Sequence, residues 1–155
     1  MADCLRGNPY PTPKLGPLLI DEAYIAAIEK LVEYASQAST DLQSQHGLEV
    51  SVDDAQTGVA ALDQIIARVR ARNWPADSNP FKWHANALGS VLACLMLQRG
   101  DSITAFRSKD NFTNFSVYIP QTKAEYFPFH KVQKCLGSAD AGTVAAYYHE
   151  FAGDV

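Results

Sequence analysis

The feature that most constrains the fold is a helical pattern that begins at Asn79-Pro80 and ends near Arg99-Gly100. Asparagine is a favourable N-cap, and proline suits the first helical position because the amide it lacks would have no partner there. Apolar residues cover more than half of the helix circumference, so we predict that this helix lies at the centre of the fold. Gly89 costs about 1 kcal/mol relative to alanine inside a helix, which suggests that another backbone approaches there. The predicted buried residues are Leu88, Val91, Leu92, Leu95 and Met96.

Two strand-like segments follow the central helix, at residues 102–107 and 112–119. Both alternate in polarity and are rich in β-branched and aromatic residues, which favour strands. Residues 108–111 between them have the composition of a turn, so we predict an antiparallel hairpin. A lone hairpin is not stable in water, so this one must lie on the helices or gain a third strand. Tyr126-Phe127 is the candidate for that strand.

Two amphipathic helices are predicted before the central helix. In the first, apolar residues recur at three- and four-residue steps from Asp21, a favourable N-cap, to His46-Gly47, where glycine can adopt the left-handed cap conformation. The second is capped by Asp53 or Asp54 and carries one apolar stripe. Residues 48–52, between the two helices, alternate apolar and polar side chains, which is a weak strand signal.

Helical patterns also follow the hairpin. Pro128 begins a short helix that Gly137 is expected to cap, and Ser138 or Asp140 begins a final helix with aromatic residues on its buried side. Residues 1–17 hold four of the eight prolines, a composition that blocks helix and central strand alike. We therefore predict a proline-rich arm over residues 1–17 and a single α+β domain over residues 18–155. That domain has a helical N-terminal half, a central helix packed on a small antiparallel sheet, and C-terminal helices.

Length, charge and cysteine content exclude several classes of protein. A chain of 155 residues is the size of one domain. Its net charge of −4 argues against nucleic-acid binding, which needs a basic face. Three cysteines cannot all pair within the chain, and this suits a reducing compartment. The sequence has neither a run of ~20 apolar residues nor a signal peptide, so we predict a cytoplasmic protein without membrane contact.

The sequence offers little catalytic or metal-binding chemistry. The four histidines form none of the spacings that bind zinc, and no cysteine completes such a cluster, so neither a metal nor a cofactor is predicted. The best catalytic group combines Cys94 or Cys135 with His84 or His130 and a carboxylate such as Asp110. Because His130 and Cys135 are five residues apart on one short helix, they do not share a face. We therefore favour a protein that is not an enzyme.

Three arginines and two tryptophans are predicted to have structural roles. Arg68, Arg70 and Arg72 lie at the end of the second helix, where basic residues interact favourably with the helix dipole. A solvated helix end is favoured over an anion-binding site. Trp74 and Trp83 flank the connector to the central helix, and we expect them to pack against it rather than to stack on a ligand.

An aromatic group around the hairpin is the best functional candidate. Phe106 and Phe112 are predicted to lie near the hairpin tip beside charged residues, and surfaces that combine aromatic and charged side chains are typical of interface hot spots. The alternative, in which these aromatic residues are core and the tip is only a solvated turn, stays open. The predicted partner-binding residues are Phe106, Arg107, Lys109, Asp110, Phe112, Tyr118 and Tyr126.

A series of short motifs runs through residues 83–151: Leu88-Gly89, Leu92, Gly100, Pro128-Phe129, Val132 and Tyr147-Tyr148-x-x-Phe151. The series resembles a group of uncharacterised bacterial domains, which have a Leu-Gly helix, a second Leu-Gly-Glu, a Gly-Trp turn and a strand leading to Pro-Phe-x-x-Val. Here Ala93 and Cys94 replace the second glycine and the acidic residue, and residues 101–103 carry no tryptophan. Small domains of this sort recur beside bacterial toxin genes as immunity proteins, so the resemblance implies a binding role.

The resulting hypothesis is a non-enzymatic protein-binding module. Its most specific form is a bacterial immunity protein that neutralises a cognate toxin by occluding it. Two alternatives stay open, namely a cysteine-histidine hydrolase-type enzyme and an adaptor or structural subunit of a secretion or phage-like assembly.

Overall fold

The computed structural model describes residues 22–98, 103–106, 115–119 and 123–153. Within these ranges the chain is mostly helical with a small antiparallel sheet, which confirms the α+β prediction at this level. The arm predicted for residues 1–17 lies outside the described residues. None of the described helices is long and apolar enough to cross a membrane. The helices are α1 (Glu22–His46), α2 (Ala55–Ala71), α3 (Asn79–Leu97), α4 (Pro128–Gly137) and α5 (Val144–Ala152), and the strands are β1 (Ile103–Phe106), β2 (Phe115–Ile119) and β3 (Ala124–Tyr126).

Helix α3 lies at the centre of the described residues, as its apolar circumference predicts. Thirteen of its 19 residues are buried, including every residue from Ala87 to Leu97. It packs against α1, α2 and α4 and also contacts β2. Full burial of a leucine side chain contributes about 1.5–3 kcal/mol, so the buried leucines of α3 contribute substantially to the stability of the core.

Gly89 makes room for an aromatic ring. A Cβ atom at this position would overlap the side chain of Phe129 on α4, with the ring Cγ only 3.0 Å away. Phe129 is itself 1% exposed, so its ring is fixed on all sides. The prediction that another backbone approaches Gly89 is therefore wrong, because a side chain from α4 fills the space.

Strand β2 is the middle strand of a three-stranded antiparallel sheet with the order β1-β2-β3. Phe106 of β1 pairs with Phe115 of β2, which confirms the predicted hairpin, although its turn at residues 108–111 lies outside the described residues. Val117 pairs with Tyr126, so the predicted third strand is also present and ends at Tyr126. Strand β2 packs against α3 and α4. Its buried residues include Phe115, Val117 and Ile119.

The connection between α1 and α2 is irregular and does not contain the predicted strand. Its backbone is satisfied by side chains instead of a neighbouring strand. The Val50 amide donates to the side-chain oxygen of Gln43 at 2.9 Å. The Ser39 hydroxyl and the Gln98 side-chain amide donate to the carbonyls of Val50 and Val52, respectively. The alternating pattern therefore reflects an anchored, buried Val50 and not a β-ladder.

The last helix begins later than predicted. Ser138 begins only a short 3-10 turn, Ala139–Ala141. Gly142 then adopts φ +86°, and the Thr143 hydroxyl accepts a hydrogen bond from the Ala146 amide at 3.1 Å as the N-cap of α5. Local capping chemistry, not the apolar pattern, sets this boundary.

Side chains of α2 hold the ends of both C-terminal helices. The Asp63 carboxylate accepts hydrogen bonds from the amides of Val144 at 2.7 Å and Ala145 at 3.0 Å. Amides at a helix start have no partner within the helix, so Asp63 caps α5 from outside. Nη1 of Arg70 donates to the Cys135 carbonyl at 2.8 Å near the end of α4. Helix α2 thereby positions α4 and α5.

Candidate functional site

An open groove lies where the α2–α3 connector, the start of α3 and the end of α4 meet. It has a larger lobe of about 490 Å³ and a smaller lobe of about 250 Å³. Ala76, Phe81 and Gly137 line both lobes, so the two form one feature, which we name the Phe81 groove. The larger lobe is also lined by Lys82, Ala85, Asn86 and Gln133, and the smaller lobe by Val69, Arg70, Asn73, Trp74 and Leu136.

The sequence folds the α2–α3 connector into a tight turn beside the groove. Asn73 has φ +55°, a left-handed conformation that asparagine adopts more readily than most residues. Its amide donates to the Arg70 carbonyl at 3.2 Å. Ser78 then donates to the Pro75 carbonyl twice, from its amide at 3.0 Å and from its hydroxyl at 2.6 Å. These local bonds hold the connector, and with it Trp74, beside the first turn of α3.

Small residues keep the groove open. Ala76, Ala85 and Gly137 contribute little side-chain volume, whereas Phe81 is half-buried and supplies an aromatic wall. A Cβ atom at Gly137 would have no neighbouring atom within 4 Å, and the backbone there is not left-handed. A larger residue at Gly137 would therefore enter open space without a clash.

The charged side chains that line the groove are both cationic. Lys82 lines the larger lobe and Arg70 the smaller one. Arg70 is engaged by the Cys135 carbonyl, whereas the Lys82 side chain is exposed. The groove thus places positive charge next to an apolar wall, in a chain whose net charge is −4.

Two histidines that are 38 residues apart in sequence meet next to the groove. Nε2 of His46, at the end of α1, lies 3.1 Å from Nε2 of His84 on α3. Nδ1 of His84 lies 2.8 Å from the Pro80 carbonyl and must carry the proton, because a carbonyl only accepts. Neutral His84 therefore accepts at Nε2, and His46 donates. The centroids of the two rings are 5.3 Å apart. This exceeds the Nε2–Nε2 distance by roughly two ring radii, as expected when each Nε2 points toward the other ring. The geometry is therefore that of a hydrogen bond.

Two tryptophans enclose His84. The ring centroids of Trp74 and Trp83 lie 5.3 Å and 4.8 Å from that of His84, which is 3% exposed. Both rings therefore pack against a residue of α3, and their predicted packing against the connector stays a prediction. Trp74 also lines the smaller lobe of the Phe81 groove. Because Trp74 packs against His84, the histidine pair supports this wall of the groove.

Burial and nearby arginines keep the histidine pair neutral. Burial lowers the pKa of His46, and the neighbouring imidazole and the charges of Arg68 and Arg72 lower it further. Burial also lowers the pKa of His84. The hydrogen bond to the Pro80 carbonyl raises that pKa in part, and the charge of Arg72 lowers it. Nη1 of Arg68 donates to the His46 carbonyl at 2.7 Å, and Arg72 lies over Trp74, 5.4 Å from the ring centroid. The arginines predicted as a solvated helix end therefore make specific contacts.

Neither described cysteine is placed for nucleophilic catalysis. Cys94 and Cys135 are both buried. Burial raises the pKa of the Cys135 thiol, and its Sγ lies 3.5 Å from the Gly142 carbonyl. His130, one candidate base, stacks on Phe127 with 5.5 Å between ring centroids. A raised pKa disfavours the reactive thiolate, and the described residues hold no group of three His, Cys, Asp or Glu side chains suited to a metal ion.

Of the seven predicted partner-binding side chains, the structure describes Tyr126. It is half-buried, and its ring packs edge-on against Tyr147 at 5.5 Å and Phe151 at 5.3 Å between centroids. Burial raises the pKa of the Tyr126 hydroxyl, and the negative charge of Glu150 raises it further. Tyr126 therefore belongs partly to an aromatic cluster with α5. Phe106 and Tyr118 lie in β1 and β2 with side chains that are not described, and Arg107, Lys109, Asp110 and Phe112 lie outside the described residues.

Comparison with known proteins assigns no family. No protein-family model, no curated protein and no solved structure matches this chain. The resemblance of residues 83–151 to immunity-type domains therefore stays a prediction.

Sequence reasoning missed both the Phe81 groove and the histidine pair. His46 and His84 lie on different helices, and no spacing rule links residues 38 positions apart. The sequence does contain one relevant signal. The prolines of Trp74-Pro75 and Asn79-Pro80 mark the two ends of a short connector between α2 and α3. A connector of this kind lies on the surface, where grooves between helix ends form.

Proposed function

We propose that this chain is a non-enzymatic protein-binding module. The observation that carries the proposal is the Phe81 groove, which combines an aromatic wall with cationic and amide side chains. Protein interfaces typically combine an aromatic, desolvated centre with a polar rim. In its most specific form, the proposal is a bacterial immunity protein that neutralises a cognate toxin by occluding it.

The construction of the groove supports a binding role. Its walls come from the ends of α2 and α4 and the start of α3, and these are joined by the Arg70–Cys135 hydrogen bond and by the contact of Trp74 with His84. A surface held by such contacts loses little conformational freedom when a partner binds. The groove is therefore preorganised for recognition.

The buried thiols weigh against the cysteine-histidine alternative. A hydrolase of that type needs an accessible thiolate within hydrogen-bond reach of a base. Cys135 is buried with a raised pKa, and its Sγ contacts the Gly142 carbonyl. An adaptor or structural subunit would self-assemble, so the oligomeric state of the chain alone distinguishes it from the binding module.

The test is coexpression of the chain with each protein encoded beside its gene. We expect one neighbouring product to arrest growth when it is expressed alone, and this chain to restore growth. The two purified proteins should form a stoichiometric complex by size-exclusion chromatography with light scattering, because occlusion requires a stable contact.

Three sets of variants locate the interface. Phe112→Ala and Asp110→Lys test the predicted hairpin surface, Phe81→Ala tests the groove, and Lys30→Glu on the exposed face of α1 is the control. Loss of the complex in either test set, with Lys30→Glu unaffected, supports the proposal. The proposal is wrong if no neighbouring product is bound or neutralised. Self-assembly of the chain alone at low concentration would instead favour the adaptor alternative.

A further inference from the structure

We infer that the Phe81 groove receives an acidic segment of a protein partner, with an apolar side chain against Phe81 and a carboxylate beside Lys82. The inference rests on the proposed binding function and adds the chemistry of the partner. It follows from three properties of the groove, namely the sign of its charges, the position of Lys82 in α3, and the size of the larger lobe.

The charges of the groove are complementary to an acid. Lys82 and Arg70 are the charged side chains among the residues that line the two lobes, although the chain as a whole has 17 acidic and 13 basic residues. Asp77 is adjacent to Ala76 in sequence but lines neither lobe. A local excess of positive charge on an acidic protein attracts anionic groups and repels cationic ones.

The position of Lys82 is unfavourable for the helix itself. Lys82 is the fourth residue of α3, and the first turn of α3 contains no acidic residue. The positive end of the helix dipole disfavours a cation there. At the end of α4, by contrast, the Arg70 guanidinium already offsets part of the negative potential by binding the Cys135 carbonyl. A carboxylate of a partner that lay beside Lys82 would be stabilised by the ammonium group and by the start of α3 together.

The size of the groove fits a peptide side chain with its neighbours. The larger lobe of about 490 Å³ accepts an aromatic or large aliphatic side chain, which would contact Phe81 and Ala85. The smaller lobe continues past Trp74, so an extended segment would cross both lobes. Amide side chains of Asn86 and Gln133 on the rim of the larger lobe are suited to hydrogen-bond the backbone of such a segment.

The inference is tested by NMR titration of the full chain with three peptides and, separately, with phenylacetate as a small-molecule acid. The peptides are acetyl-Phe-Asp-Glu-amide, its neutral counterpart acetyl-Phe-Asn-Gln-amide, and acetyl-Ala-Asp-Glu-amide, which lacks the apolar anchor. We expect saturable shifts at Trp74, Ala85 and Gly137 with the first peptide. Binding of the other two should be about tenfold weaker or absent, because each lacks one of the two contacts.

Two groove variants and two matched controls complete the test. Gly137→Leu fills open space and should abolish binding while leaving the fold intact, and Lys82→Glu should weaken binding about tenfold or more. Ala60→Leu on the exposed face of α2 places a leucine elsewhere on the surface, and Lys30→Glu on α1 repeats the charge reversal; both should bind like the wild type. Circular dichroism of each variant checks folding.

Several outcomes would overturn the inference. These are the absence of saturable shifts, equal affinity for the neutral peptide, an unchanged affinity in Lys82→Glu, or tighter binding of phenylacetate than of the acidic peptide, which would indicate a small-molecule acid. If a neighbouring toxin binds the chain but Gly137→Leu and Lys82→Glu bind it equally well, the groove inference is wrong and the proposed function stands. If the peptide binds as expected and no neighbouring toxin does, the groove inference stands and the immunity form of the proposed function is wrong.

Discussion

Replacement of Gly89 by alanine should destabilise the protein, although alanine is the better helix former. The change gains about 1 kcal/mol of helix propensity. The new Cβ atom, however, overlaps the ring of Phe129, whose Cγ lies 3.0 Å from the Cβ position. Overpacking of a core costs about 1–3 kcal/mol, and the upper part of this range applies because Phe129 is 1% exposed and has little room to move. We therefore expect the free energy of unfolding to fall by about 1–2 kcal/mol.

Urea unfolding followed by circular dichroism measures this effect, and Gly137→Ala is the matched control. At Gly137 an added Cβ has no neighbour within 4 Å, so alanine should raise the free energy of unfolding by about 0.4–1 kcal/mol. In the double variant Gly89→Ala/Phe129→Leu, the smaller side chain relieves the overlap, and the loss should be about 1 kcal/mol less than the sum of the single changes. An unchanged or increased stability of Gly89→Ala, or strict additivity in the double variant, would refute the reasoning.

Three further predictions follow from other contacts. Asp63→Ala should lower the free energy of unfolding, measured by urea denaturation, by about 1–3 kcal/mol, because it removes both acceptors at the start of α5. An unchanged urea midpoint would show that water replaces the Asp63 carboxylate. The pKa values of His46 and His84 are lowered in the folded protein. The stability they contribute is therefore full above the unfolded pKa of about 6.5 and is lost as pH falls through the folded values. Urea midpoints between pH 7.5 and 4.5 should fall more steeply for the wild type than for a variant with glutamine at both positions, and parallel curves would contradict this. In a Cys4→Ser variant, thiol labelling with Ellman's reagent at pH 7.5 should leave Cys94 and Cys135 unmodified until urea unfolds the chain. Fast labelling of the native variant would favour the hydrolase alternative.

The parts of the fold that the sequence predicted correctly depend on local signals. The central position of α3 follows from apolar residues around most of its circumference, and 13 of its 19 residues are buried. The hairpin and third strand follow from alternation and turn composition, and Phe106 and Tyr126 pair with β2 as expected. The end of α1 at His46 follows from Gly47, which adopts φ +66°. Periodicity and capping act within a few residues, so a single sequence contains them.

The parts that were missed depend on which distant segments become neighbours. Residues 48–52 alternate like a strand, but their backbone groups are taken by side chains of Ser39, Gln43 and Gln98. The sequence predicts that another backbone approaches Gly89, but the neighbouring group is the ring of Phe129. Neither contact has a signal within its own segment, because each requires a partner from a different helix.

The non-local polar contacts of this fold concentrate at helix ends, and this explains where the groove lies. Backbone groups in the last turns of a helix have no partner within it, so they recruit side chains from other helices. Arg68 reaches the His46 carbonyl at the end of α1, Arg70 the Cys135 carbonyl near the end of α4, and Asp63 the amides at the start of α5. The Phe81 groove lies between the end of α2, the start of α3 and the end of α4, and the Arg70–Cys135 hydrogen bond joins two of these ends. Lys82 and Gly137 line this groove and are exposed, so substitutions there leave the apolar face of α3 undisturbed.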